Sequence, residues 1–388
     1  MSRLTALAAL LGLGACGAAF VPPDNIEPVA RGAGYQAQWR APTRDDGLLR
    51  SATINAETCL PPAGGAVAKA PSGPRDLALS RGDLLELRLG GDETFEGRYV
   101  VARDGTLSVP YLSPVPAAGR TLADVREELA TRMQAEGISS GRPVIALDLS
   151  DLAPVHVTVS GAVFNPQAVQ VGGVSGTDRD LLRQASSGSS TEGRNLSAAL
   201  RAAGGIRPDA DISAVRVHRG SRVHAVDMRG VFEGTHLEDI ILVTGDRIEV
   251  PSRRCFQDDL MRPSPISPPG ITLYLSNLTQ PALHNAASAI GRDVREVPWG
   301  TRYMQAVIDA NCVGGPRVSS AGRSAVLYSR NPVTGVSAVI ERDIEALVRR
   351  ADRDDFDPYL LPGDALACYD SSVTNATELA RVARVLRP

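Results

Sequence analysis

The side chains that could do chemistry are few and poorly grouped. The histidines are His156, His218, His224, His236 and His284. None stands in an H-E-x-x-H pattern or another tight ligand pair, so no helix face would offer a metal two imidazoles. His218 and His224 flank one hairpin turn, where a shared metal competes with plain surface or interface imidazoles, the more ordinary reading. Asp352, Asp354, Asp355 and Asp357 form an acidic cluster. It lacks the central Gly and the terminal Glu with which a calcium loop turns and ligates, and it reads as a solvated loop. No G-x-S-x-G elbow for a nucleophilic serine occurs. Of 41 basic residues only Lys69 is a lysine. That excludes a Walker A loop and argues against Schiff-base catalysis. Carboxylate pairs for glycoside cleavage meet only in three dimensions, and nothing in the spacing favours one. The sequence assigns no catalytic residue, no metal and no cofactor.

What recurs is Gly-Asp before a strand, at Gly82-Asp83, Gly245-Asp246 and Gly363-Asp364. Glycine tolerates φ > 0 and aspartate bonds its own backbone, so these are turn formers. Asp104-Gly105 is of the same kind, an Asp-Gly hairpin signal between apolar runs.

Around the first pair the elements follow in order. A Leu-rich strand spans Leu84 to Leu89, and a second, Arg98 to Val101, runs into Arg103-Asp104-Gly105. Thr106 to Pro110 alternates polar and apolar. Thr121 is an N-cap candidate with Asp124 in the first turn, and Leu122, Val125, Leu129 and Met133 fall at helical spacing. Pro143 to Leu149 closes the set as a strand. This order, over Leu77 to Leu149, resembles the N-terminal domain of the Wza-like outer-membrane polysaccharide export proteins.

A net charge of −3 argues against nucleic acid as a partner, since no positive field would hold a phosphate backbone. At 43% apolar and 22% charged the composition is that of a globular protein, and 388 residues allow two to four domains. Arg3, the apolar run Leu4 to Leu13 and then Gly14-Ala15-Cys16 read as a secretory signal too short to span a bilayer. Leu13-Gly14-Ala15-Cys16 resembles a bacterial lipobox, which makes Cys16 the lipidation site; the alternative is an ordinary signal with an incidental cysteine. Gly17 is not the aspartate that retains many such proteins at the inner membrane. Residues 17 to 76 are rich in Pro, Gly and Ala and read as linker or extended wrapping segments.

The second half repeats itself at roughly 115 residues. The first copy has a strand Val155 to Gly161, a helix Leu196 to Ala203 ending at Gly204-Gly205, strands Ala214 to His218 and Val223 to Met228, then Gly245-Asp246 and a strand. The second has Ile271 to Asn277, a helix Tyr303 to Asn311 ending at Gly314-Gly315, strands Ser324 to Ser329 and Ser337 to Ile340, then Gly363-Asp364 and a strand. This resembles the SLBB β-grasp domain, present twice in the same exporters. The second copy departs at its start, with Ser276-Asn277 where the first has Ser160-Gly161. Gly172 to Arg194 is a Gly/Ser-rich insertion expected as a mobile surface loop, and Pro263 to Pro269 links the copies. Four cysteines remain for an oxidising compartment, with three possible pairings. Cys312 and Cys368 share one repeat, while Cys59 and Cys255 lie just outside folded domains. This placement favours Cys312–Cys368 and Cys59–Cys255 over four unpaired buried thiols.

The last stretch, Val373 to Arg387, reads as an amphipathic helix. Leu379, Val382, Val385 and Leu386 fall on one face and Arg381, Arg384 and Arg387 on the other, the stripe of a helix between lipid and water. Residues 373–388 would extend about 24 Å, short of a hydrocarbon core of roughly 30 Å. A helix lying on the ring or in the membrane interface is the competing reading.

The resemblance implies an α+β chain divided as signal peptide 1–15, extended segment 16–75, export domain 76–152, β-grasp domains 153–253 and 271–370 with a Pro-rich linker 254–270, and a C-terminal helix 371–388. It implies a lipid-anchored outer-membrane protein, its bulk in the periplasm, forming a homo-oligomeric ring, an octamer by analogy. Capsular polysaccharide or exopolysaccharide would pass through unchanged, with Arg381, Arg384 and Arg387 facing the pore. The implied partner is an inner-membrane co-polymerase, often a tyrosine autokinase. A periplasmic carbohydrate-binding lipoprotein without a pore and a glycan hydrolase are the alternatives.

Overall fold

The segment read as linker or extended wrapping carries a helix, α1 (Ser51–Glu57), and a 3-10 turn, Ala37–Trp39. The structure, a computed structural model, describes residues 34–40, 51–63, 77–90, 93–172, 193–235, 239–277, 294–310, 312–313, 324–349 and 356–369. The signal segment with Cys16, residues 173–192, the C-terminal helix with its arginines, His236, His284, Asp352, Asp354 and Asp355 lie outside the described residues. The chain divides into two compact units, one of residues 60–254 and 262–269, the other of residues 1–59, 255–261 and 270–388.

In the first unit β1 (Leu84–Leu89) is the centre of a three-stranded antiparallel sheet, with β2 (Gly97–Val100) on one side. Leu85, Leu87 and Leu89 alternate into the core as a half-buried strand requires. Thr106–Leu107 forms β3 and pairs with β4 (Val115–Pro116). The expected strand to Pro110 stops early: Pro110 has no N–H to donate, and Tyr111 turns the chain at φ 60. Helix α2 (Leu122–Ala135) begins in a capping box. Thr121 accepts from Asp124 N–H, and the Asp124 carboxylate accepts from Thr121 N–H. Val125, Leu129 and Met133 bury its apolar stripe, and the helix packs on β5 (Ile145–Asp151), which completes the sheet order β2-β1-β5.

The chain then enters a five-stranded sheet of order β7-β6-β10-β8-β9. Its strands are β6 (Val155–Gly161), β7 (Gln167–Val171), β8 (Val215–Arg219), β9 (Arg222–Val226) and β10 (Arg247–Val250). Strands β6 and β10 run parallel and the other pairs antiparallel. Helix α3 (Leu196–Ala202) covers β6 and β7, its first turn capped by Asn195. It ends at Gly204-Gly205. A Cβ on Gly205 would stand 2.2 Å from Pro268 N, so only glycine admits this approach. Residues 262–269 are therefore packed, not a free linker: Ile206 N–H donates to Ile266 O, and Ile266 is buried.

The second unit repeats that order as β12-β11-β15-β13-β14. Its elements are β11 (Ile271–Asn277), β12 (Val294–Val297), α4 (Tyr303–Asp309), β13 (Ser324–Arg330), β14 (Ser337–Asp343), α5 (Ile344–Arg349) and β15 (Ala365–Tyr369). Again the first and last strands, β11 and β15, are the parallel pair. The N-terminal segment is embedded here rather than acting as a tether. The Gln36 amide donates to Tyr359 O and accepts from Tyr359 N–H, each at 2.9 Å, as a neighbouring strand would. Arg342 donates to the carbonyls of Gln38 and Arg40, each at 2.8 Å. Asp258 accepts from Gln38 at 2.9 Å and Asn55 at 2.8 Å, and burial raises its carboxyl above the usual range. Phe256 stacks on Tyr359 and meets Tyr35 edge-on. Disulfides join Cys59 to Cys255 and Cys312 to Cys368. With sequence separations of 196 and 56 residues, loop closure gives them about 5 and about 4 kcal/mol.

Candidate functional site

Each Gly-Asp pair makes the same local object. The aspartate carboxylate accepts from the backbone N–H three residues earlier: Ser80 to Asp83 at 2.7 Å, Val243 to Asp246 at 2.9 Å, Leu361 to Asp364 at 2.9 Å. All three carboxylates are almost fully buried. A buried charge must be paired or must neutralise, and the chain meets this need in three ways.

At Asp246 the cation comes from the adjacent strand. Register pairs Arg247 with His218, which sets Asp246 opposite Arg219. Arg219 bonds both carboxylate oxygens, Nε to Oδ1 at 3.0 Å and a terminal nitrogen to Oδ2 at 2.7 Å. At Asp83 no cation faces the turn from its own sheet. Arg194 supplies it from the β-grasp sheet, 2.6 Å from Oδ1. The same guanidinium donates to Ser80 Oγ at 2.8 Å and to Leu242 O at 2.8 Å. Asp83 also accepts from Ala153 N–H at 3.0 Å, and a Cβ on Gly82 would come within 2.9 Å of the Ala153 methyl. The turn before β1 and the segment leading into α3 are thus latched by one fully buried ion pair. Burial lowers the Arg194 pKa and the Asp83 charge opposes that shift. Arg194, expected in a mobile surface loop, is only 1% exposed.

At Asp364 no cation pairs with the carboxylate among the described residues. Register pairs Ala365 with Tyr328, so the place of Arg219 is taken by Ser329. Its hydroxyl donates to Asp364 at 2.6 Å. Burial pushes this carboxyl up to about 7, against the two hydrogen bonds it accepts.

Asp104 is different because it is exposed to water. It accepts from Thr106 N–H at 2.9 Å and Thr106 Oγ1 at 2.8 Å, which hold its carboxyl below the usual range. The hairpin it shapes leads to Tyr111, 80% exposed, in the left-handed region and edge-on to the buried Phe95 at 6.5 Å between centroids. A tyrosine at φ 60 is strained, and such strain persists where the surroundings hold it. No motif marks a left-handed tyrosine, so Tyr111 could not be singled out from residue pattern alone.

The remaining candidates disperse. His224 lies opposite Val217 and His218 opposite Val223, so the two imidazoles point to opposite faces of their hairpin. His218 instead lies 3.4 Å from Glu249. Asp357, expected in a solvated cluster, is buried and accepts from Met304 N–H at 2.8 Å at the start of α4. Among the described residues no three His, Cys, Asp or Glu side chains converge as a metal site.

Residues 71–150 match the family model described as polysaccharide biosynthesis/export protein. The exopolysaccharide production protein ExoF of Rhizobium meliloti (strain 1021) is 31% identical to the chain over 94 residues. That match covers 22% of this chain and 22% of the relative's length. The resemblance to polysaccharide export proteins holds over this segment, which spans β1 to β5 and α2.

Proposed function

We propose that this chain, bearing a polysaccharide export domain at residues 71–150, takes part in exopolysaccharide export as an outer-membrane lipoprotein anchored through Cys16. It assembles with copies of itself as a ring, an octamer by analogy, and the polymer crosses the periplasm and outer membrane through it without covalent change. The observation that carries this reading is the family match over residues 71–150. Conduction needs no tight site and no reacting group, in keeping with carboxylates spent on turns and latches. Tyr111, held outward on a strained turn, is a contact for the passing chain, its ring offering an apolar face and its hydroxyl a hydrogen bond. The base of the ring faces an inner-membrane co-polymerase. The arginine-striped C-terminal helix lines the outer-membrane opening through Arg381, Arg384 and Arg387. Among the described residues no helix is long and apolar enough to cross a membrane.

The location is tested by fractionating cells that carry the wild-type chain or Cys16→Ser. The wild type is expected with the outer membrane, as an oligomer by native mass in detergent. Cys16→Ser is expected in the soluble periplasmic fraction or at the inner membrane, with polymer export reduced. A Cys16→Ser protein that still fractionates with the outer membrane and exports normally contradicts the anchor.

A further inference from the structure

We infer that the outer face of the second β-grasp sheet is a saccharide-binding platform built on Tyr274 and Tyr328. This deepens the export reading and rests on it. Tyr274 on β11 and Tyr328 on β13 are both cross-strand partners of Ala365 on the intervening β15. Direct partners share a face, so the three make one row, Tyr-Ala-Tyr, with the tyrosine Cα atoms two strand spacings, about 10 Å, apart. Tyr274 is 52% and Tyr328 39% exposed, whereas Leu273, Leu327 and Leu366, pointing the other way, are buried. The small Ala365 stands between the two tyrosines on the row, and Val339, partner of Tyr328 on β14, extends it.

The fold does not require tyrosine at these places. The first β-grasp sheet has the same strand order, and aligning Asp246 with Asp364 puts Thr158, Arg247 and His218 on the corresponding row. That face is polar: Glu249 bonds Arg216 at 3.1 Å and lies 3.4 Å from His218. One copy of a repeat thus carries charge where the other carries two exposed aromatic rings around an alanine.

The row fits a pyranose chain. Tyrosine stacks on the C–H face of a sugar and bonds hydroxyls through its own, and the spacing is about the length of a disaccharide. Thr272 and Glu296, exposed partners across β11 and β12, lie on the same face two residues from Tyr274 and offer hydroxyl and carboxylate groups to sugar hydroxyls.

The test uses the full chain in detergent and oligosaccharides released by mild acid from the polymer the source strain secretes, with binding read by calorimetry. Wild type is expected to bind. Tyr274→Ala and Tyr328→Ala should each weaken binding roughly tenfold, with unchanged unfolding midpoints, and Phe at either place should stay within roughly threefold, since the stacking area is kept. Alanine variants that bind like wild type, or a wild type that binds no fragment, overturn the platform. So do alanine variants that change native mass and leave sugar affinity alone, which would make the row a contact between copies. The export reading is judged apart from this, by secretion in a strain lacking the gene. Lost secretion together with unaffected sugar binding in the alanine variants overturns the platform alone, and undiminished secretion overturns the export reading and the platform's basis with it.

Discussion

Asp83 and Arg194 show what a single buried charge does in this chain. Each is held by hydrogen bonds to backbone or hydroxyl groups besides its partner, and the Asp246 charge adds a weaker attraction on Arg194 than Asp83 does. Arg194→Met keeps the bulk and removes the charge, leaving the carboxylate buried. The expected cost is about 3–5 kcal/mol, read as a lowered urea midpoint of the full chain. A loss near zero would mean that Asp83 reaches water and that the latch is not closed. Asp364 carries the opposite problem, a carboxyl that no cation pairs with among the described residues, pushed by burial up to about 7 in the folded state, above the ordinary carboxylate range. The folded state therefore holds a proton that the unfolded chain has released. This group's contribution to stability is fully present below about pH 4 and is lost as pH rises through about 7. Asp364→Asn removes the titration; its amide oxygen can accept from Leu361 N–H while its NH2 donates to Ser329 Oγ in place of accepting from it. It is expected to flatten the fall in stability between those pH values, measured by thermal unfolding across the range; an unchanged slope would show that Asp364 ionises freely in the fold.

At the scale of elements, local signals and register divide what was legible. Helix α2 announced itself through Thr121, Asp124 and a 3.6-residue apolar stripe, all satisfied locally. The repeat could be read because Gly-Asp turns and Gly-Gly helix ends are short-range chemistry. Strands β7 and β12 were not read: Gln167–Val171 and Val294–Val297 are short edge strands made by pairing with a neighbour. Arg194 was hidden because its loop composition says solvent while its partner lies 111 residues away. The difference between Asp246 and Asp364 was equally hidden, since only strand register shows that Ser329 replaces Arg219. The turn after β3 supplies a test of its own. Tyr111→Gly removes a side chain from the left-handed region, so stability is expected to rise by about 1 kcal/mol while polymer export falls. A variant that is stabilised and exports as well as wild type would remove Tyr111 from the polymer's path.

For the whole molecule, the export family match covers the N-terminal sheet and α2, and two sheets of identical strand order follow. The two repeated sheets differ on their outer faces, one ion-paired and one tyrosine-bearing. The central claim is about movement of polymer. The most direct measurement is the polysaccharide secreted by a strain lacking this gene, with its synthesis enzymes intact, beside the same strain carrying the wild-type chain on a plasmid. The account expects secreted polymer to fall to background in the deletion and to return with the plasmid; undiminished secretion in the deletion, with no second exporter present, would contradict it.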